Sequence, residues 1–294
     1  MGVTEATVAR SMRVDDQTSI LETAWGWTQV SDDLLTDLAS FLNITKADAW
    51  EGLRRYRYGR MSVEWEQAAP KTAEDMRAFY GKTDAYVWSL SLYSASSNYD
   101  WYRNICRTMA ELQNASPNKR LCALDYGSGV GETAILLASL GYQITIADVP
   151  GRTFEYAKHR LQRRGVAFRT VPVTEDLPHL EGPYDVVVAF DVLEHIAEPD
   201  RIYKHLLRNL RPGGLIADVS PFDQDEGNYA GVHLHENRRR FGDGRWNLFC
   251  SGQGLRSLDG VIRTPATGTS RLARRAHYAI WRATGLDVRY KRPR

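Results

Sequence analysis

Glycine stands at every second position in Gly127-Ser128-Gly129-Val130-Gly131. The apolar run Arg120-Leu121-Cys122-Ala123-Leu124-Asp125 leads into it. A helical pattern from Thr133 to Leu140, stopped by Gly141, leads out of it. Strand, glycine loop and helix in that order leave few choices of fold. Glycines allow a sharp turn and let a ligand approach the main chain closely. The free N–H groups at the helix start face the same crevice.

The pattern then repeats. Gln143 to Ala147 reads as a second strand with Asp148 at its end, followed by a helix from Thr153 to Arg164 that Gly165 ends. Ala167 to Val171 is a third strand and Tyr184 to Phe190 a fourth, whose Val186-Val187-Val188 run suits burial on both faces. Pro199 to Leu210 is helical, and Gly214 to Val219 is a fifth strand. Strands alternating with helices predict a parallel sheet with right-handed crossovers.

Spacing separates the ligands such a loop can hold. A dinucleotide fingerprint needs glycine or alanine three places after the second glycine. Counted from Gly127 and Gly129, that place is Glu132. A carboxylate there repels a pyrophosphate where the helix should attract one. S-adenosylmethionine has no phosphate but carries a sulfonium and an ammonium, which suit an acidic strand end.

The stretch from about Leu121 to Ser220, one third of the chain, resembles the class I (Rossmann-like) S-adenosylmethionine-dependent methyltransferases. Leu124-Asp125-Tyr126-Gly127-Ser128-Gly129-Val130-Gly131 is similar to their first motif and Ile146-Ala147-Asp148-Val149 to their second. Tyr184 to His195 is similar to their fourth strand and the loop beyond it, and Leu210-Arg211-Pro212-Gly213-Gly214-Leu215 to their turn into the fifth. The resemblance implies an α/β fold: a Rossmann-like, doubly wound, mostly parallel sheet with helices on both faces, plus an N-terminal helical lobe. It implies S-adenosylmethionine as cofactor and S-adenosylhomocysteine as product. It places Asp125, Gly127, Ser128, Gly129 and Gly131 along the methionine part and ribose, Asp148 on the ribose hydroxyls and Val149 on the adenine. Asp191 lies in the loop that faces the methionine part. One position departs from the family. Where an Asp often binds the adenine amine, Val173-Thr174-Glu175-Asp176-Leu177-Pro178 has Val173. Adenine recognition is therefore expected through backbone groups around Thr174 or through its hydroxyl, with Glu175 as a further cofactor contact.

Methyl transfer is an in-line displacement, so the protein mainly orients and desolvates. A base is needed only for a protonated acceptor. The acceptor wall is expected after the fifth strand, in Ser220-Pro221-Phe222-Asp223 and Gly231-Val232-His233-Leu234-His235-Glu236-Asn237. If that segment is extended, His233 and His235 share one face and are the base candidates. Magnesium held by these residues is disfavoured, because it prefers oxygen ligands, and no metal is expected.

Residues 1–115 read as a helical, aromatic-rich lobe that caps the substrate, and 116–294 as the methyltransferase domain with a basic C-terminal segment. Helices are expected after Asp32 or Asp33, after Thr45 and after Thr72, and from Leu272 to Thr284. In a chain of 294 residues, 43% hydrophobic and 11% aromatic, general disorder is excluded. Three cysteines without a CxxC pair exclude a disulfide framework and a zinc half-site. With no apolar run of membrane length and no hydrophobic leader, the expectation is a cytoplasmic protein without membrane contact. The net charge of +2 hides an asymmetry. From Leu255 onward ten basic residues face only Asp259 and Asp287, leaving the rest of the chain at −6. A small-molecule acceptor is the main expectation and nucleic acid is disfavoured. The alternatives are cyclisation of the cofactor's own aminobutyrate chain with release of methylthioadenosine, an RNA or protein methyltransferase docking through the basic end, and a non-catalytic relative. Oligomeric state is left open.

Overall fold

The computed structural model describes residues 18–23, 26–56, 60–223 and 234–284. The N-terminal region is not helical throughout. It begins with an antiparallel hairpin in which β1 (Thr18–Thr23) pairs with β2 (Gly26–Ser31), Leu21 opposite Thr28. Leu21, Thr28 and Val30 point inward and are buried, while Ile20, Trp27 and Gln29 are exposed, the alternation of a half-buried sheet.

Helix α1 (Asp32–Leu42) follows directly. Its cap is Ser31 and not Asp32 or Asp33: the serine oxygen accepts the Leu34 N–H at 3.1 Å, and the two aspartates occupy the first turn. Next come α2 (Lys46–Tyr56), α3 (Arg60–Ala68) and α4 (Ala73–Lys82). Helix α4 starts after Thr72 as expected, and Thr72 and Asp75 form a reciprocal capping box there. Helices α5 (Ala85–Ser94), α6 (Asp100–Thr108) and α7 (Ala110–Asn114) complete the region. Its rings pack on one another: Trp65 against Phe79 at 5.1 Å, Tyr80 against Tyr86 at 5.3 Å, Tyr99 against Tyr102 at 4.9 Å.

The remaining strands form one sheet. They are β3 (Cys122–Tyr126), β4 (Gln143–Asp148), β5 (Phe168–Pro172), β6 (Tyr184–Phe190), β7 (Leu210–Val219), β8 (Leu255–Ser257) and β9 (Ile262–Pro265). Their order is β5-β4-β3-β6-β7-β9-β8. The pairs β4–β5, β3–β6 and β6–β7 are parallel; β9 pairs antiparallel with both β7 and β8. The helices of this part are α8 (Glu132–Ser139), α9 (Arg152–Arg163), α10 (Pro199–Arg208), α11 (His235–Phe241), α12 (Arg245–Gly252) and α13 (Gly268–Thr284). This is the mostly parallel, Rossmann-like sheet that the family resemblance implies, with an antiparallel edge. Among the described residues, no helix is long and apolar enough to cross a membrane.

The chain divides into two compact units. One comprises residues 1–120 and 128–174, the other residues 121–127 and 175–294. In the first unit, Leu34, Leu35 and Leu38 of α1 share an apolar cluster with Leu21, Leu53, Leu92, Val130 and Tyr156. The N-terminal region thus has a common core with the half of the chain that carries β4 and β5. In the second unit, Val186, Val187 and Val188 are fully buried. Asp218, also buried, accepts hydrogen bonds from Tyr203 Oη at 3.1 Å and Trp246 Nε1 at 2.5 Å and pairs with Arg263. Such a carboxylate is tolerated inside because a cation and several donors meet it.

Candidate functional site

The alternating glycines have a common backbone cause. Gly127, Gly129 and Gly131 adopt φ of 72°, 52° and 76°, the left-handed region that side chains disfavour. Space adds a second restriction in the second unit, where a Cβ on Gly127 would stand 2.2 Å from the Val192 side chain.

In the first unit the loop closes on the end of β4. Ser128 N–H donates to the Ala147 carbonyl at 3.2 Å, and Gly131 N–H to the Ser128 carbonyl at 2.8 Å. Gly129 N–H donates to Asp148 Oδ2 at 2.7 Å, and Val149 N–H to Asp148 Oδ1 at 2.7 Å. Burial pushes the Asp148 carboxyl up to about 6 against these two donors, which lower it. Two amide donors leave half of the carboxylate's lone pairs unused. Ser128 is buried, and its Oγ has no hydrogen-bond partner among the described residues. Such an orphan is what a loop built around a ligand leaves behind.

The segment after β5 lies beside the same strand end, since Asp148 pairs in register with Pro172. Val173 N–H donates to the Asp148 carbonyl at 2.8 Å and Thr174 N–H to the Pro172 carbonyl at 3.1 Å. Both backbone donors near Thr174 are therefore engaged, which leaves its exposed hydroxyl for a ligand. Val149 is half-buried.

The second unit holds Asp125, Gly127, Glu175 and Asp191. Asp125 is buried in β3, and Glu175 is exposed. Asp191 has φ of 52°, a left-handed conformation rare outside glycine, and its N–H donates to the Val219 carbonyl at 2.8 Å. A strained acid at a strand end is a mark of functional sites. Just beyond it, Glu194 is 1% exposed, and neither carboxylate oxygen has a hydrogen-bond partner among the described residues. His195 Nε2 lies 3.6 Å from one of them. Burial, then the negative charges of Asp191 and Asp218, push this carboxyl well above its usual range and favour its neutral form.

The extended reading of the acceptor wall does not hold at His235. That residue is exposed and opens helix α11, so strand alternation does not align it with His233, which lies outside the described residues. The segment is instead tied to the Glu194 turn. Leu234 N–H donates to the Glu194 carbonyl at 3.2 Å, and the Asn237 side chain donates to the Glu194 and Ile196 carbonyls at 3.1 and 2.7 Å. The sequence places Glu194 in the loop after the fourth strand and Asn237 in the acceptor wall but does not connect them; a polar pair with nothing but spacing to join it gives no signal.

Residues 124–217 match the model of a protein family described as a methyltransferase domain. They form a class I S-adenosylmethionine-dependent methyltransferase domain. The chain is 32% identical over 120 residues to tRNA 5-carboxymethoxyuridine methyltransferase of Escherichia coli (strain K12), covering 40% of this chain and 44% of that protein. It is 29% identical over 103 residues to ubiquinone biosynthesis O-methyltransferase of Caulobacter vibrioides, covering 34% and 41%. The chain thus spans less than half the length of these relatives. Among solved structures, an S-adenosylmethionine-dependent methyltransferase from Clostridium acetobutylicum matches at 14% identity over 38% of this chain and 48% of the other, with a TM-score of 0.35.

The residues of the methyltransferase domain fit this cofactor. Asp148 retains acceptor capacity for hydroxyls, Ser128 Oγ is an unspent polar group, and the glycine backbone is bare. At Glu132, where a pyrophosphate fingerprint has a glycine or alanine, the helix start carries a carboxylate instead.

Proposed function

We propose that the protein transfers a methyl group from S-adenosylmethionine to a small molecule. The observation that carries this reading is the Asp148 carboxylate. It orders the glycine loop through Gly129 N–H at 2.7 Å and keeps lone pairs for ribose hydroxyls. Ser128, Gly127 and Gly131 line the loop, with Asp125 and Asp191 at the strand ends, Val149 toward adenine, and Thr174 and Glu175 as further contacts. When bound, S-adenosylmethionine supplies a methyl group already activated on sulfonium. The protein's residues then need only hold the donor and the acceptor in line and keep water out. For an acceptor that arrives protonated, His235 at the exposed start of α11 and His233 are the proton-accepting candidates.

The small-molecule assignment is supported by the absence of a recognisable nucleic-acid motif in a chain that carries −6 outside its last forty residues. Incubation with S-adenosylmethionine and a panel of hydroxyl- and amine-bearing small molecules, with bulk tRNA in parallel, tests it. S-adenosylhomocysteine formed only with a small molecule is the expected result. Turnover with tRNA alone overturns the acceptor class. Methylthioadenosine in place of S-adenosylhomocysteine overturns methyl transfer itself.

A further inference from the structure

Three left-handed glycines in five residues make the cofactor loop permissive, so something outside it must remove that freedom. In the first unit, the buried Arg160 on α9 is placed to do so. Its Nη1 donates to the Val130 carbonyl at 2.8 Å, between Gly129 and Gly131. Its Nη2 donates to Glu132 Oε2 at 2.8 Å, on the first residue of the helix that the loop feeds. Its Nε donates to Asp37 Oδ2 at 2.9 Å, on α1. One rigid fork therefore fixes a loop carbonyl, the start of α8 and an N-terminal helix together.

Asp37 is fully buried and also receives Arg163 Nε at 2.5 Å and Arg164 Nη1 at 2.9 Å, so the fork is itself anchored. The Val130 side chain adds a second hold, because it is embedded in the apolar cluster with Leu34, Leu38 and Tyr156. The network also explains why a carboxylate is tolerated at Glu132: its charge is taken up by Arg160 on the protein side.

We infer that Arg160, braced by Asp37, is a positioning residue for S-adenosylmethionine, fixing the Gly129–Gly131 backbone in the shape that receives it. Helix α1, which lies outside the matched segment 124–217, thereby sets cofactor affinity. The inference rests on the loop being the S-adenosylmethionine site.

The test compares the full chain with Arg160→Lys and Glu132→Gln. Lysine keeps the charge on Asp37 but cannot span all three acceptors. S-adenosylhomocysteine affinity is measured by calorimetry, and amide hydrogen exchange of residues 129–135 is measured without ligand. Expected for Arg160→Lys are a dissociation constant raised about tenfold, the loss of one or two charge-assisted bonds, and faster loop exchange. KM for the methyl donor should rise while kcat stays near that of the parent. Glu132→Gln should show the same pattern to a smaller extent, and it decides the matter if Arg160→Lys fails to fold. A lower melting temperature with unchanged affinity and unchanged loop exchange would mean a structural role only and overturn the inference. If the parent protein itself binds no S-adenosylhomocysteine, the proposed function fails, and the exchange data still decide whether Arg160 holds the loop.

Discussion

Asp37 in the N-terminal helices and Asp148 at the end of β4 belong to the same compact unit, yet their surroundings are opposite. Burial pushes the Asp37 carboxyl up, but the guanidinium groups of Arg164, Arg160 and Arg163 outweigh it and hold the carboxyl below its usual range. Among the described residues Asp148 meets no cation; its partners there are two amide N–H groups, and burial wins. In the second unit, Glu194 goes further, with no donor on either oxygen among the described residues. A carboxylate saturated by three cations has nothing left to offer a ligand and belongs to the architecture. One satisfied only by the backbone of a glycine loop keeps lone pairs that the proposed ribose contact would use.

The sharpest way to break this contrast is to delete the saturated acid. Asp37→Ala leaves buried guanidiniums without a partner and is expected to cost about 3–5 kcal/mol in urea unfolding, the usual scale for a broken buried pair. A loss below 1 kcal/mol would show that the cluster is solvated in solution. Gly129→Val should act on binding more than on stability. It imposes a β-branched side chain at φ of 52°, with Leu90 3.1 Å from the new Cβ, and S-adenosylhomocysteine affinity should fall more than tenfold by calorimetry.

A gentler probe is pH. With a folded-state value near 6 and an ordinary value of 3.8, Asp148 binds its proton more tightly when folded. Its ionisation therefore works against the fold as pH rises from about 4 to 6. The ligand has the opposite preference, because hydroxyls are accepted best by the ionised carboxylate. S-adenosylhomocysteine affinity is thus expected to weaken as pH falls below about 6; a flat profile from pH 5 to 7.5 would remove Asp148 from the contact. The smallest effect is expected at an exposed pair. Lys46 reaches Asp32 at 2.6 Å with both side chains at least 40% exposed, and Lys46→Ala should change stability by about 0.5 kcal/mol or less.

The sheet and the glycine loop were legible because their signals are local. Apolar runs stop at glycines, and Asp148 sits at a strand end whatever the rest of the chain does. The hairpin was not legible, since Leu21, Thr28 and Val30 carry a short alternation inside a region otherwise patterned for helices. Nor was the Asp37–Arg160 pair, which joins residues 123 positions apart. Charged residues on helices look solvated until their partners are known. His235 misled for a related reason: an extended segment and a short helix of seven residues read alike without capping signals.

Calorimetric titration of S-adenosylhomocysteine into the protein and into Asp148→Ala bears most directly on the loop as a cofactor site. Binding to the parent, weakened by about 1.5–3 kcal/mol in the variant, is the expected result. Equal affinity in both proteins would contradict the placement of the ribose at the end of β4, and no binding to the parent would contradict the site altogether.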